Sequence, residues 1–284
     1  MYAVFKHTYA RMRGQMLGWG IGLGLYILLM ASFYDTIARL GGLQDLLAQY
    51  PKDMLAFFGD AMMAINTPSG YLDLYFFNYM SVILGILVVG SCANLLVGDE
   101  ERGILDLVLA QPVSRSALFW GRLLGFVAAL VTILAVCLLT WAIPAKHYGM
   151  ELTWLQFVRP FLPLLAELLL FGTLALALSL VLPSARAASA TTGGLLVANY
   201  MLVGLSNINQ DLKDIVAYTP LHFYQGGKAV DSLNWEWLVG LLGVSALLAL
   251  FAWWRFQRHD IRVGGEGGWH IPLLSLRRKP AVRA

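Results

Sequence analysis

Three polar side chains stand inside otherwise apolar stretches of this chain and are the first candidates for chemistry: Asn94, Glu167 and Asn199. A carboxyl deep in apolar surroundings can bind a cation or carry a proton. An amide there can hydrogen-bond a passing solute or, more commonly, a neighbouring helix. Little else has reactive spacing. His7, His147, His222, His259 and His270 are scattered without metal-ligand intervals, and neither H-E-x-x-H nor G-x-S-x-G occurs. Cys92 and Cys137 both lie in apolar runs and read as packing thiols, not a disulfide framework. No G-x-x-x-x-G-K-[ST] phosphate loop is present. Its nearest fragment, Gln225-Gly226-Gly227-Lys228, has His222 and Ala229 where the motif needs Gly and Ser or Thr. The chain therefore reads as one with no cofactor, no metal and no ATP hydrolysis of its own.

The setting of these residues follows from composition. Of 284 residues, 58% are hydrophobic and only 13% charged, too few charges to cover a soluble surface. A soluble enzyme, a disordered tail protein and a nucleic-acid binder are excluded. The gaps between charges supply six segments long enough to cross ~30 Å of hydrocarbon. They are placed at about 16–34, 75–97, 118–143, 160–182, 189–208 and 237–254. Their apolar runs are continuous and do not alternate, so each is a helix and not a barrel strand. The fold class is an all-α membrane protein, a single transmembrane domain over 1–284.

Fourteen of the twenty Lys and Arg fall on the side of the N-terminus, which places both termini in the cytoplasm of a multi-pass cell-membrane protein. Residues 1–14 read as an interfacial amphipathic helix: Tyr2, Phe5, Tyr9, Met12 and Met16 recur every three or four positions, beside Lys6, Arg11 and Arg13 that would meet anionic lipid. Gly14, Gly18 and Gly22, and likewise Gly20 and Gly24, have the four-residue spacing of close helix packing. The small residues Ser189 to Gly194 suit a dimer or bundle contact. In the first outer loop, the stripes Leu43-Leu46-Leu47-Tyr50 and Met54-Phe57-Phe58, parted by Pro51, predict two short surface helices. Residues 255–284 form a basic, glycine-rich tail.

The stretch 98–117, between spans two and three, is the most informative. Asp99, Glu100 and Glu101 suit a helix N-terminus; Pro112 ends a helix running through Leu109; Ser114 is placed to cap span three. Such a helix is either a topological bracket or a docking handle for a cytoplasmic partner.

Gly98 to Gly125, GDEERGILDLVLAQPVSRSALFWGRLLG, resembles the inner-loop motif of permease subunits of type-2 ATP-binding-cassette exporters, roughly E-E-x-G-T-L-E-L-L-L-A-x-P-V-S-R before a span. It departs from that motif at Ile104, where Thr is usual, and at Asp106, where Glu is usual. Residues 17–37 and 57–80 are similar to the first span and outer loop of antibiotic- or multidrug-exporter permeases. The resemblance implies that the helix around Glu100–Gln111 couples to a separate cytoplasmic ATPase. Glu100, Glu101 and Arg115 would be charged docking contacts on a helix carrying Leu107 and Gln111, and Gly103 and Pro112 would shape its turns. It further implies two ATPases holding ATP and magnesium, a second permease subunit of the same or homologous kind, and spans two and five lining the path, with Asn94 and Asn199 as candidate path residues beside Glu167, which its place deep in span four puts forward. The expected function is ATP-driven export of a hydrophobic or amphipathic substrate. An ion-driven carrier using Glu167, or a non-transporting membrane anchor, are the alternatives.

Overall fold

The structure, a computed structural model, describes residues 1–40, 49, 51–57, 62, 64–103 and 113–258. Among them are helices and no strand. Six helices are long and apolar enough to cross a membrane: Arg13–Ala38, Pro68–Ala93, Arg115–Ala142, Trp154–Ser179, Ala185–Ser206 and Trp235–Gln257, spans one to six in that order. At 1.5 Å per residue each exceeds ~30 Å. A separate N-terminal helix, Tyr2–Arg11, and a short loop helix, Val97–Glu101, complete the face on which the chain begins.

Local sequence sets most span boundaries. Ser114 Oγ accepts from the Ala117 amide (3.1 Å) and Ser184 Oγ from Ala187 (3.1 Å), starting spans three and five. Thr67 with Pro68 opens span two, and Asn234 caps span six. Thr153 and Gln156 close a capping box before span four, which turns at Arg159 and Pro160 before continuing from Phe161.

Span four is the centre of the bundle. In its most apolar stretch 72% of the residues are buried, against 22% in span five and 28% in spans one and six. It packs on spans two and six. Gly172 allows the approach to span two, because a Cβ there would lie 2.7 Å from Val88 Cγ1. Spans one, five and six turn Leu17, Ile21, Leu25, Leu195, Val239 and Leu247 outward, where a bilayer takes the place of a core. Cys92 and Cys137 are buried free thiols.

The glycines divide by role. Gly20 and Gly24 of span one face Val136 and Thr140 of span three, whereas Gly14, Gly18 and Gly22 point into open space. The closest helix contact at this face lies elsewhere, at Gly121 and Gly125 of span three. A Cβ at Gly121 would meet Val4 Cβ at 2.8 Å, and one at Gly125 would meet Thr8 Cβ at 2.9 Å and the Phe5 carbonyl at 3.0 Å. The N-terminal helix therefore seats Val4 and Thr8 in a glycine groove. Its aromatic stripe, Tyr2, Phe5 and Tyr9, stacks ring on ring with Tyr2 left exposed. Of the two helices expected in the first outer loop, Lys52–Phe57 is described. The segment 41–48 and the tail from 259 lie outside the described residues.

Candidate functional site

The loop helix places four consecutive residues, Val97 to Glu100, in buried positions. Asp99 is the pivot. Its Oδ2 lies 2.7 Å from Arg122 Nη2, and Arg11 Nη1 donates to both of its oxygens at 3.2 and 3.3 Å. Arg122 Nη1 also donates to the Leu95 carbonyl at 2.7 Å, just beyond the last turn of span two. One carboxylate thus joins the loop helix to the N-terminal helix and to the first turns of span three, and Arg122 carries the link on to the end of span two. The Asp99 and Arg122 side chains are 6% and 9% exposed and Arg11 52%, so the inner pair is a desolvated, charge-assisted contact and the outer one is wet.

The neighbouring residues extend this platform. Glu101 Oε1 accepts from the Ala185 amide at 2.9 Å, supplying a cap to span five from a different segment of chain. Gly103 closes the turn at φ +67°, a conformation that favours glycine, and its amide bonds the Glu100 carbonyl. Glu100 is buried. On the other flank, Arg115 Nη1 donates to the Gln257 carbonyl at 3.3 Å, and Ser116 Oγ meets Trp253 Nε1 at 3.1 Å, tying the start of span three to the end of span six. Leu107, Gln111 and Pro112 lie outside the described residues, as does the rest of the expected helix through Leu109. The described residues on either side of them, up to Gly103 and from Val113, belong to a platform built from the N-terminal helix and spans two, three, five and six.

The three polar span residues are spread through the depth of the bundle, not gathered in one place. Asn94 is exposed just past span two, donating Nδ2 to the Gly90 carbonyl at 2.8 Å. Asn199 accepts from the Leu221 amide at 3.1 Å near the opposite face. Glu167 has no exposure, and neither of its oxygens finds a hydrogen-bond partner among the described residues.

The opposite face carries a second polar cluster. Span two makes a π turn over Asp73–Phe77, and such turns leave backbone groups available to other partners. Tyr224 donates to the Phe77 carbonyl at 2.9 Å, Asp73 Oδ1 accepts from the Gly227 amide at 2.6 Å, and Tyr200 donates to Asn78 Oδ1 at 2.9 Å. Gly227 is required because a Cβ would fall 2.8 Å from the Asp73 amide nitrogen. Beside the turn opens a cavity of about 630 Å³ whose lining includes Asn78, Tyr200, Asn207, Lys213, His222 and Trp237. Burial pushes the Tyr224 hydroxyl well above its ordinary range, and the Glu167 and Asp73 carboxylates add to the rise. No group of metal-binding side chains occurs among the described residues.

No local pattern marks Asp99 and Arg122 as partners. The readable signal is Arg122 itself, which stands two turns inside an apolar span, where a charge needs a counter-charge. The glycine groove is readable too, as G-x-x-x-G at 121–125.

The family model for ABC-2 family transporter proteins matches residues 3–261. The chain belongs to the ABC-2 transporter family. It is a type-2 ABC permease subunit and a multi-pass membrane protein. In an ABC-2 transporter the membrane component is not itself the ATPase, and membership implies a partner ATP-binding subunit. Comparison with curated proteins found no match.

Proposed function

We propose that this ABC-2 subunit is the permease of an ATP-driven exporter, moving a hydrophobic or amphipathic substrate out of the cytoplasm by alternating access. The face with the N-terminal helix is cytoplasmic, both termini included. Two copies of the permease, or this chain and a homologue, assemble with two ATPases that hold ATP and magnesium. The loop between Gly103 and Val113 docks on the ATPase with Leu107 and Gln111, and Pro112 shapes its exit. Movement of that loop passes to the spans through Asp99, Glu101 and Arg115.

The observation that supports this most is that Asp99 joins three elements through one buried carboxylate. A push on the loop helix is then a push on spans two and three and on the N-terminal helix together. The Glu101–Ala185 and Arg115–Gln257 contacts extend the same push to spans five and six. Asn94, Glu167 and Asn199 remain the proposed path residues, Glu167 becoming reachable only when the spans rearrange. A carrier working through Glu167 without an ATPase is the alternative, and it needs the same rearrangement to bring that buried carboxyl to solvent.

The test is reconstitution of the permease with its ATPase in proteoliposomes, following efflux of fluorescent amphiphilic dyes. Transport that requires ATP supports the proposal. Transport that persists without ATPase and disappears in Glu167→Gln overturns it in favour of the carrier.

A further inference from the structure

A cleft of about 690 Å³ opens between the N-terminal helix, the start of span one and the end of span two. Its polar lining is His7, Thr8, Arg11, Gln15, Ser91 and Asn94, with Arg122 at its base; its apolar walls are Met12, Ile86, Leu87 and Phe126. No Asp or Glu lines it. Asp99 sits behind it and is held by both arginines, which leaves the base with one net positive charge. Arg11, which lines the cleft, contacts Asp99 through Nη1 and is half exposed. His7 and Gln15 are exposed at the rim, and exposed Ile86 continues the apolar wall along span two, away from the platform.

A donor-rich, acid-free pocket with an apolar wall, set where an interfacial helix meets the end of a span, matches one ligand chemistry. We propose that this cleft binds the headgroup of an anionic amphiphile, a phosphate or carboxylate with an apolar tail, drawn from the adjacent leaflet. Arg11 and Gln15 hold the headgroup while the tail lies along Leu87 and Ile86 in the direction of the bilayer centre. Resting on the export function proposed above, this is the class of substrate that the permease takes up, and Asn94 is the first path residue it meets.

The experiment uses the full chain without ATPase, in phosphatidylcholine nanodiscs doped with phosphatidylglycerol, and counts retained lipids by native mass spectrometry. Wild type should retain phosphatidylglycerol in preference to phosphatidylcholine. Gln15→Glu and Asn94→Asp each place an acid in the cleft at an exposed position, and each should reduce that preference about tenfold through like-charge repulsion. Lys213→Glu, on the opposite face, should leave it unchanged. Equal retention of the two lipids by wild type, or unchanged preference in both cleft variants, overturns the proposal. Displacement of the lipid by millimolar inorganic phosphate would also overturn it, since a free anion would then suffice; displacement by dodecyl phosphate alone supports it. Because no ATPase takes part, the export proposal and this one can fail separately.

Discussion

Asp99 and Arg122 meet at 2.7 Å with both side chains less than a tenth exposed, although they stand on separate helices. Removing Asp99 leaves the buried Arg122 charge uncompensated, which costs about 3–5 kcal/mol, and removing Arg122 leaves Asp99 only its wet contact to Arg11, whereas removing both leaves no unpaired buried charge. Asp99→Asn and Arg122→Met should each lower the unfolding temperature of the purified protein by several degrees. The double variant should recover part of the loss, with a coupling energy of about 1–3 kcal/mol. Arg11→Gln, on the exposed side of the same carboxylate, should change stability by less than ~1 kcal/mol. Thermal unfolding in detergent of the four-member cycle and of Arg11→Gln checks all three, and strict additivity within the cycle would show that the pair is not a unit.

The seat of the N-terminal helix gives a second prediction. Gly121→Leu and Gly125→Leu drive side chains into the backbone of that helix, where even a Cβ finds less than ordinary contact distance. Overpacking of this kind costs about 1–3 kcal/mol, and the helix lifts away. A cysteine placed at Val4 should then react several times faster with a soluble maleimide than in the parent. Gly22→Ala, which meets open space, should leave that rate unchanged.

What the sequence discloses about this architecture is what depends on neighbours in the chain. The six apolar runs are legible because each is continuous along the chain, and the Ser114 cap and the Thr67-Pro68 turn because each is settled within four residues. The Glu101 carboxylate on the Ala185 amide joins residues 84 apart in sequence, so a local reading assigns Glu101 only to its own loop. Asp99 likewise reads as a helix-dipole acid until Arg122 and Arg11 are brought to it. The π turn at Asp73–Phe77 has no local signal, and the Phe77 carbonyl at its end takes a hydrogen bond from Tyr224, 147 residues later. Two G-x-x-x-G patterns are visible along span one, yet one of them packs and the other faces open space, a difference that only the neighbouring helix determines.

Glu167 is buried without a hydrogen-bond partner among the described residues, a condition in which an apolar side chain of similar volume is neutral or stabilising. Glu167→Met should therefore unfold at or above the wild-type temperature. If Glu167 lies on the path, the same variant should transport an amphiphilic dye more slowly than wild type while its ATPase remains active. A variant that is both less stable and fully active would assign Glu167 a purely structural role.

The loop between spans five and six should be sensitive to alkali. Burial holds the Tyr224 hydroxyl protonated beyond its ordinary value of 10.0, so the folded state keeps a proton that the unfolded chain releases. That contribution is fully present below pH 10 and declines as the pH climbs towards the raised folded value. Tyr224→Phe lacks both the titration and the bond to the Phe77 carbonyl. At pH 8 it should be less stable than wild type by about 1 kcal/mol, and the difference should narrow above pH 10. Unfolding temperatures across that range decide the point, and a difference independent of pH would contradict it.

If the loop docks the ATPase while Asp99 transmits its movement, the two roles separate in one co-purification coupled to transport. The wild-type permease should retain its ATPase through detergent purification and transport dye with ATP. Leu107→Asp should lose the ATPase, whereas Asp99→Asn should retain it and hydrolyse ATP with transport strongly reduced. An Asp99→Asn complex that is folded, ATPase-bound and transports at the wild-type rate would contradict the account.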